Sequence, residues 1–350
     1  MRFEYRSYPN VVYYGTGKLE ILPDLLRENR KVMVIASERL TGHVDALKAA
    51  LGKDRVIQFS KVIQHVPDTL VKEAADVRKH HRPDTLVAIG GGSAVGLAKA
   101  LSLEEYIPQI AIPSTFSGSE QTNIYGISSA GAKKTGRHDS VLPGIVIYDP
   151  SLTLTMPKNL AVTSAMNAMA HLMEAIYSPS GNPITTNNAM LGMKAIQAGL
   201  KTLADTDKLT KSANEKILFG AYLGGKCLCE VAMGLHHRVA HVLGGTFGME
   251  HASVHTVLQS YTLAYQWLHL AEPIQNDFKL ALESDNPART LKALAGNAGA
   301  KTNLKSIGFK DKDIESAAEI ISSMPYANVA PVSKESIVEM LTNAYEGNLA

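Results

Sequence analysis

Cysteine is almost absent from this chain, with only Cys227 and Cys229 among 350 residues. Two positions apart on a helix they point to different sides and form no ordinary disulfide, so the chain suits a reducing compartment. Long apolar runs are missing too. Nothing approaches the roughly eighteen residues that a membrane span needs. The opening Met1-Arg2-Phe3-Glu4-Tyr5-Arg6 carries charge where a secretory signal has its apolar core, so a cytoplasmic protein without membrane partners is expected. Charge of one sign is also lacking: 35 Lys and Arg against 33 Asp and Glu leave a net charge of +2. That balance offers no broad field to attract nucleic acid. No internal repeat or low-complexity run is present.

What is there is ordinary globular material, 45% apolar and 19% charged. Single cores usually stop growing near about 250–300 residues, so two domains are expected. The pattern divides them. In residues 1–155, short apolar runs alternate with helical stretches, as in a parallel sheet covered on both faces: Val11–Tyr14, Lys31–Ala36, Arg55–Phe59, Thr85–Ile89, Gln109–Pro113 and a last strand reaching Asp149. An amphipathic helix is expected over Lys18–Arg30, interrupted early by Pro23. Residues 156–350 read as helices almost throughout. The fold class is therefore an N-terminal Rossmann-like domain of parallel sheet and helices, followed by an all-helical domain.

The strand Thr85–Ile89 runs directly into Gly90-Gly91-Gly92-Ser93 and then a helix. Glycines remove Cβ atoms that would block a phosphate, and the helix start offers free N–H groups and the positive end of its dipole, so this turn is a pyrophosphate cradle. It is not the G-x-G-x-x-G spacing of the usual dinucleotide fingerprint. At the end of Lys31–Ala36 stands Ser37, where an acidic residue would favour NADH by repelling a 2′-phosphate; NADPH is then not excluded, although Glu38 is adjacent. The hydroxyl-rich loop with Ser114, Thr115, Ser119 and Thr122 suits a ribose, a carboxamide or a phosphate. Lys133–His138 reads as a compact basic loop, which places Lys134 and Arg137 as candidates for holding a carboxylate.

Five of the twelve histidines, His236, His237, His241, His251 and His255, fall between Leu235 and His255. His237/His241 and His251/His255 are i,i+4 pairs, each on one face of a helix. Gly244-Gly245 is expected to end the first helix through a left-handed cap, so that the chain folds back and brings His251 towards His237. Asn167 and His171 make another i,i+4 pair upstream. A lone histidine on an apolar helix is usually a core residue; this many together suit proton transfer or a metal site. A capping box at Ser212–Glu215 starts a long helix expected to run to Leu243 as the buried centre of the domain. A loop is expected over residues 324–332.

Taken in order, Gly15-Thr16-Gly17, Gly90–Ser93, Pro113-Ser114-Thr115 to Gly118-Ser119-Glu120, Asn167-x3-His171, and His237-x3-His241 followed by His251 resemble the iron-type (group III) alcohol dehydrogenase superfamily. This is the dehydroquinate synthase-like architecture. Within it the chain looks most like the maleylacetate reductases, through Lys133–Arg137, Ser164–Asn167, Leu235–His237 and His251-x3-His255. It departs from their pattern at Gln121–Tyr125, His138 and Asn328–Pro331. The superfamily holds metal with an Asp-x3-His pair and the histidines matching His237 and His251; the Asp position is Asn167 here, so no metal is expected.

The resemblance implies a homodimeric NADH- or NADPH-dependent enzyme of aromatic-compound catabolism, which reduces the small-molecule oxo-dicarboxylate maleylacetate to 3-oxoadipate. Catalytic residues would then be His241 and His237, with His171, His251, His255 and Asn167 completing the network. Lys134, Arg137 and Arg238 would meet the carboxylates. Two other readings stay open: a metal-dependent alcohol or aldehyde dehydrogenase, and a nucleotide-binding protein without turnover.

Overall fold

A computed structural model describes residues 3–129, 132–323, 326 and 328–349. Pro325 of the expected 324–332 loop lies outside them. The chain forms two compact units, one of Ser7–Met156 and one from Pro157 onward that also takes in the residues before Ser7.

The first unit is built on a six-stranded, wholly parallel sheet. In chain order its elements begin with β1 (Val11–Tyr14), α1 (Leu22–Leu25), β2 (Val32–Ile35), α2 (Thr41–Leu51), β3 (Val56–Phe59), α3 (Asp68–His81) and β4 (Thr85–Gly90). They continue with α4 (Gly92–Glu104), β5 (Gln109–Pro113), the hairpin β6 (Ile124–Ser129) and β7 (Ala132–Arg137), and then β8 (Ile145–Tyr148) and α5 (Pro150–Thr153). Every residue of β2, β4 and β5 is buried, which is why these strands read as unbroken apolar runs rather than alternating ones. Alternate residues Val32, Val34, Val87, Ile89, Ile110 and Ile112 share one core with Val44, Leu47 and Leu26.

The strand order is β1-β8-β5-β4-β2-β3. From β2 the chain steps outward to β3, then returns to the other side of β2 to form β4. The connections after β2 and β4 therefore leave in opposite directions, and a crevice opens where their carboxyl ends adjoin. That crevice belongs to Ser37 and Gly90–Ser93.

Two local expectations are corrected here. The Lys18–Arg30 helix is a 3₁₀ turn, Lys18–Ile21, followed by the single turn α1, because Pro23 lacks an N–H and is tolerated only in a first turn. Beyond it Asp84 captures the backbone N–H of Arg30 at 2.8 Å and the side chain of Asn29 at 3.0 Å, which ends the helical path. Lys133–Arg137 is not a loop but strand β7, paired antiparallel with β6 so that Ile124 faces Arg137 and Gly126 faces Thr135. Gly136 makes room for Tyr125 across the pair: a Cβ there would lie 2.5 Å from the Tyr125 hydroxyl.

The second unit holds α6 (Lys158–Tyr177), α7 (Pro183–Thr206), α8 (Lys211–Glu230), α9 (Leu235–Gly245), α10 (His251–Trp267), α11 (Glu272–Leu282), α12 (Pro287–Asn297), α13 (Ile314–Ser322) and α14 (Lys334–Glu346). The expected helix from Ser212 to Leu243 is two helices bent by 97° at residues 231–234, and Thr210 caps the first of them on Ala213 N–H at 3.2 Å. The helix buried on every side is α6, all of whose residues from Ser164 to Tyr177 are buried. No single helix among the described residues is long and apolar enough to cross a membrane. Gly245 does close α9, but the left-handed backbone comes later, at Gly248 with φ 66°.

Helices α7 and α8 approach through glycine. A Cβ on Gly220 would lie 2.5 Å from Ile196 Cγ1 and 2.7 Å from the Gly192 carbonyl oxygen, and one on Gly199 would lie 2.8 Å from the Ala213 carbonyl. Overpacking of this kind costs about 1–3 kcal/mol. Gly220→Val is therefore expected to lower the unfolding free energy by that amount, read as a lower midpoint of chemical denaturation. Gly42→Ala, which meets nothing within 4 Å on α2, leaves the midpoint unchanged or higher; equal effects of the two would show that this contact is not tight.

Candidate active site

Helices α6, α9 and α10 bring six polar side chains together in the second unit. Asn167 and His171 lie one turn apart on α6, His237 and His241 on α9, and His251 and His255 on α10. The ring centroids of His171 and His237 are 5.2 Å apart, those of His237 and His255 4.9 Å, and those of His251 and His255 4.4 Å. His241 stacks on His251 at 6.2 Å and lies 6.1 Å from His237. The fold-back after α9 thus unites the two histidine pairs. His241 is exposed and His251 half-buried, while His171, His237, His255 and Asn167 are buried.

Two residues that the sequence reading did not assign decide how these imidazoles are oriented. Glu174, three residues beyond His171 and seven beyond Asn167, shares their face of α6 and is fully buried. Its carboxylate accepts from His237 Nδ1 at 2.5 Å, from the backbone N–H groups of Gly234, His236 and His237 at 3.1, 2.8 and 3.4 Å, and from the Tyr177 hydroxyl at 3.2 Å. Burial alone would raise this carboxyl, but the charge and hydrogen bond of His237 bring it down to about 2. The i, i+4, i+7 spacing of Asn167, His171 and Glu174 was the available signal.

His236 is the second. Its Nδ1 lies 3.0 Å from Thr262 Oγ1 and its Nε2 2.8 Å from His255 Nδ1. Thr262 gives its only hydroxyl hydrogen to the carbonyls of Leu258 and Gln259 at 3.1 and 3.2 Å, so it accepts from His236 Nδ1–H. Burial pushes the His236 imidazole down to about 3, so the ring is neutral and its Nε2 accepts from His255 Nδ1–H. Burial, then neighbouring His251, likewise holds His255 well below the usual imidazole range. Its Nε2 is left as a bare lone pair.

Four buried polar atoms in this group have no partner among the described residues: Asn167 Oδ1, His171 Nδ1, His237 Nε2 and His255 Nε2. Unpaired buried polar atoms are costly, and a set of them in one place is where a polar ligand belongs. Arg238, on α9 beside His237, gives Nη2 to the carbonyl of Ile320 at 2.8 Å. That leaves only part of its guanidinium for a substrate carboxylate.

In the first unit, the register pairs Gly90 with Pro113, and Ser114 N–H donates to the Gly90 carbonyl at 2.9 Å, which sets the glycine turn beside the hydroxyl-rich loop. A Cβ on Gly90 would meet Ala94 Cβ at 2.8 Å, and one on Gly91 would meet Thr115 Cγ2 at 3.0 Å. Gly92 and Ser93 open α4, whose cap residue Gly91 contributes no side chain. No side chain caps its first amides, and an uncapped helix start of this kind suits the phosphate oxygens of a dinucleotide. Ser37 follows β2 half-buried, with Glu38 exposed beside it.

Thr122 is placed differently from the expectation. It is buried, accepts from Lys99 Nζ at 2.9 Å, and donates to the Ser119 carbonyl at 3.1 Å. The fully buried ammonium of Lys99 also donates to the carbonyls of Ser119, Thr122 and Ile124 at 2.6, 2.7 and 2.9 Å, fastening the loop to α4. Burial raises the Glu120 carboxyl, which accepts the Tyr148 hydroxyl at 2.7 Å. Lys134 and Arg137 stand exposed on β7, with Arg137 Nη1 at 3.3 Å from Asn123 Oδ1.

Comparison with known proteins agrees across the chain. Iron-containing alcohol dehydrogenase matches residues 9–150, and the C-terminal part of the Fe-containing alcohol dehydrogenase family matches residues 161–345. The chain is 38% identical to a maleylacetate reductase of Sphingobium indicum, covering 99% of this chain and 98% of that one. It is 39% identical to one of Pseudomonas sp. strain P51, covering 96% of each. The crystal structure of maleylacetate reductase from Rhizobium sp. strain MTP-10005 superposes with a TM-score of 0.95 at 34% identity over 100% of both chains.

The family is named for iron, and the donors gathered here differ from the carboxylate-bearing set that the resemblance implies. Asn167, His171, His237 and His251 offer an amide and three imidazoles. Glu174, a carboxylate beside them, is taken up by His237 Nδ1 and backbone amides.

Gly92→Val tests the cofactor side, since a Cβ on Gly92 meets only the Ser117 side chain at 3.6 Å, whereas one on Gly91 would press on Thr115 at 3.0 Å. It is expected to weaken NADH binding by about tenfold or more, as methyl groups enter the phosphate's approach, with the denaturation midpoint unchanged. An unaltered dissociation constant in a fluorescence titration would remove the pyrophosphate assignment.

Proposed function

The chain belongs to the iron-containing alcohol dehydrogenase family, and from that membership we propose that it reduces the carbon–carbon double bond of an unsaturated oxo-dicarboxylate, maleylacetate, to give 3-oxoadipate. It is an NAD(P)H-dependent oxidoreductase. The observation that carries the substrate class is the group of unpartnered buried atoms on Asn167, His171, His237 and His255. The imidazole nitrogens of such a set that carry hydrogen can donate to a conjugated ketone's oxygen without a bound cation, while the amide oxygen and the bare ring nitrogens accept from other groups.

Held by the residues of the glycine turn and hydroxyl-rich loop, a reduced nicotinamide would supply the hydride that the alkene carbon remote from the ketone receives. As electron density moves onto the ketone oxygen, imidazole N–H groups stabilise the enolate, as donors aimed at a developing oxyanion do elsewhere. His237, with Glu174 behind it, takes that role, and His241 protonates the carbon next to the ketone. His171, His251, His255 and Asn167 orient the substrate. Lys134, Arg137 and the guanidinium donors of Arg238 not given to Ile320 are the cations suited to the two carboxylates.

The N-terminal unit carries the dinucleotide through Ser37, Gly90–Ser93, Ser114, Thr115 and Ser119, and either NADH or NADPH serves. Thr122 acts there through the loop it anchors. A homodimer, a cytoplasmic setting and a place in aromatic-ring catabolism come with the resemblance.

We hold that no bound metal takes part. In the superfamily site one carboxylate offsets the ion's charge, and the neutral amide of Asn167 cannot, so affinity falls. An enolate is also stabilised by imidazolium, whereas an aldehyde reductase depends more directly on a Lewis acid.

Mixing the protein with NADH, then maleylacetate, tests the whole reading by oxidation of NADH; binding without turnover on any enone or carbonyl favours a nucleotide-binding protein. His241→Ala is expected to lower kcat by about 10²–10⁴, the usual contribution of a positioned acid or base, with cofactor affinity kept. Turnover near that of the unaltered protein would return His241 to a structural role. Activity should survive exhaustive chelation, with well below one metal per chain by elemental analysis. Loss on chelation with recovery on adding iron or zinc would instead make this a metal-dependent alcohol or aldehyde dehydrogenase.

A further inference from the structure

Glu174 sits behind the histidines and touches none of the four unpartnered atoms, yet five donors converge on its two oxygens. Three of them are backbone N–H groups at the start of α9, where the cap residue Gly234 has no side chain to offer. A helix start buried without such a partner is unstable. Here a carboxylate from another helix supplies it, at the end of a 97° turn in the chain. The same carboxylate receives the Nδ1 hydrogen of His237.

We propose that Glu174 is a positioning residue: it seats the first turn of α9 on α6 and fixes His237 as the Nδ1–H form, so that Nε2 is the atom presented to the substrate. The two sides of the site then differ. His237 is backed by an anion, while His255 is backed by the neutral His236, itself held by Thr262. A carboxylate behind an imidazole stabilises the positive charge that the ring carries as a donor; a neutral imidazole behind His255 gives no such support. The ring placed to act as the enolate's hydrogen-bond donor is accordingly His237, and His255 serves as an acceptor for a substrate or water hydrogen. This assignment of roles rests on the reductase reading above; the orientation of His237 does not.

The test separates the two. In protein with ¹⁵N-labelled histidine, without ligand, the His237 signals identify which ring nitrogen carries hydrogen, assigned by their loss in His237→Gln. A hydrogen on Nδ1, in the neutral or the protonated ring, is the expected result; a bare Nδ1 with hydrogen only on Nε2 overturns the proposal, whatever the substrate proves to be. Glu174→Gln preserves size and keeps one oxygen for the backbone amides, but its NH₂ meets a second donor at His237 Nδ1. It is expected to move the hydrogen to Nε2 and to lower kcat by about 10²-fold or more, the scale of a positioned proton donor, with KM and NADH affinity little changed. Unchanged kcat in a folded Glu174→Gln protein would also overturn it. If that variant does not fold, the spectrum of the unaltered protein decides alone.

Discussion

The helical unit depends on a carboxylate that is buried with no salt-bridging lysine or arginine among the described residues. Glu174 survives in the interior because every lone-pair direction is met: three amides of α9, the Tyr177 hydroxyl and His237 Nδ1. Removing such a group from water is costly unless hydrogen bonds replace the hydration. That condition fixes the neighbours. The start of α9 has to lie against α6, His237 has to turn its Nδ1 inward, and the chain between α8 and α9 has to bend sharply.

From this anchor the histidines acquire separate identities. They are close in sequence and alike in type, but their hydrogen bonds differ: His236 is spent between Thr262 and His255, His237 is tied to Glu174, and His241 is exposed. Burial, reinforced by the neighbouring rings, pushes His171 and His255 towards the neutral form. A cluster of imidazoles is thereby divided by the hydrogen bonds each ring has already made, and under the reduction proposed above that division would separate acceptors from a donor.

The first unit presents a different arrangement, a bare glycine turn held on a rigid frame. The turn after β4 is confined by Ala94 on one side and Thr115 on the other, and the loop that carries Ser119 is fastened to α4 by the four acceptors around Lys99. A buried ammonium that satisfies three carbonyls and a hydroxyl makes loop and helix move as one body. The glycines can then be bare without leaving the turn loose.

The sequence by itself determined the elements whose signal is local: the fully buried strands β2, β4 and β5, the glycine turn at a helix start, the change from strands to helices after Pro150, and two histidine pairs at helical spacing. These depend on side-chain periodicity and backbone freedom within a few residues. Tertiary structure decided what depends on distant partners. The break between α8 and α9 carries no proline and is made by hydrogen bonds to Glu174 some 60 positions away in the chain. Lys133–Arg137 reads as a basic loop until Tyr125 and Gly136 are seen to fit across a strand pair. The hydroxyl of Thr122, which the sequence offers to a ligand, accepts from Lys99 and donates to the Ser119 carbonyl. Spacing shows which side chains share a face; which hydrogen bonds are already made is settled only when the helices pack, because a buried donor must find its acceptor wherever the fold brings one.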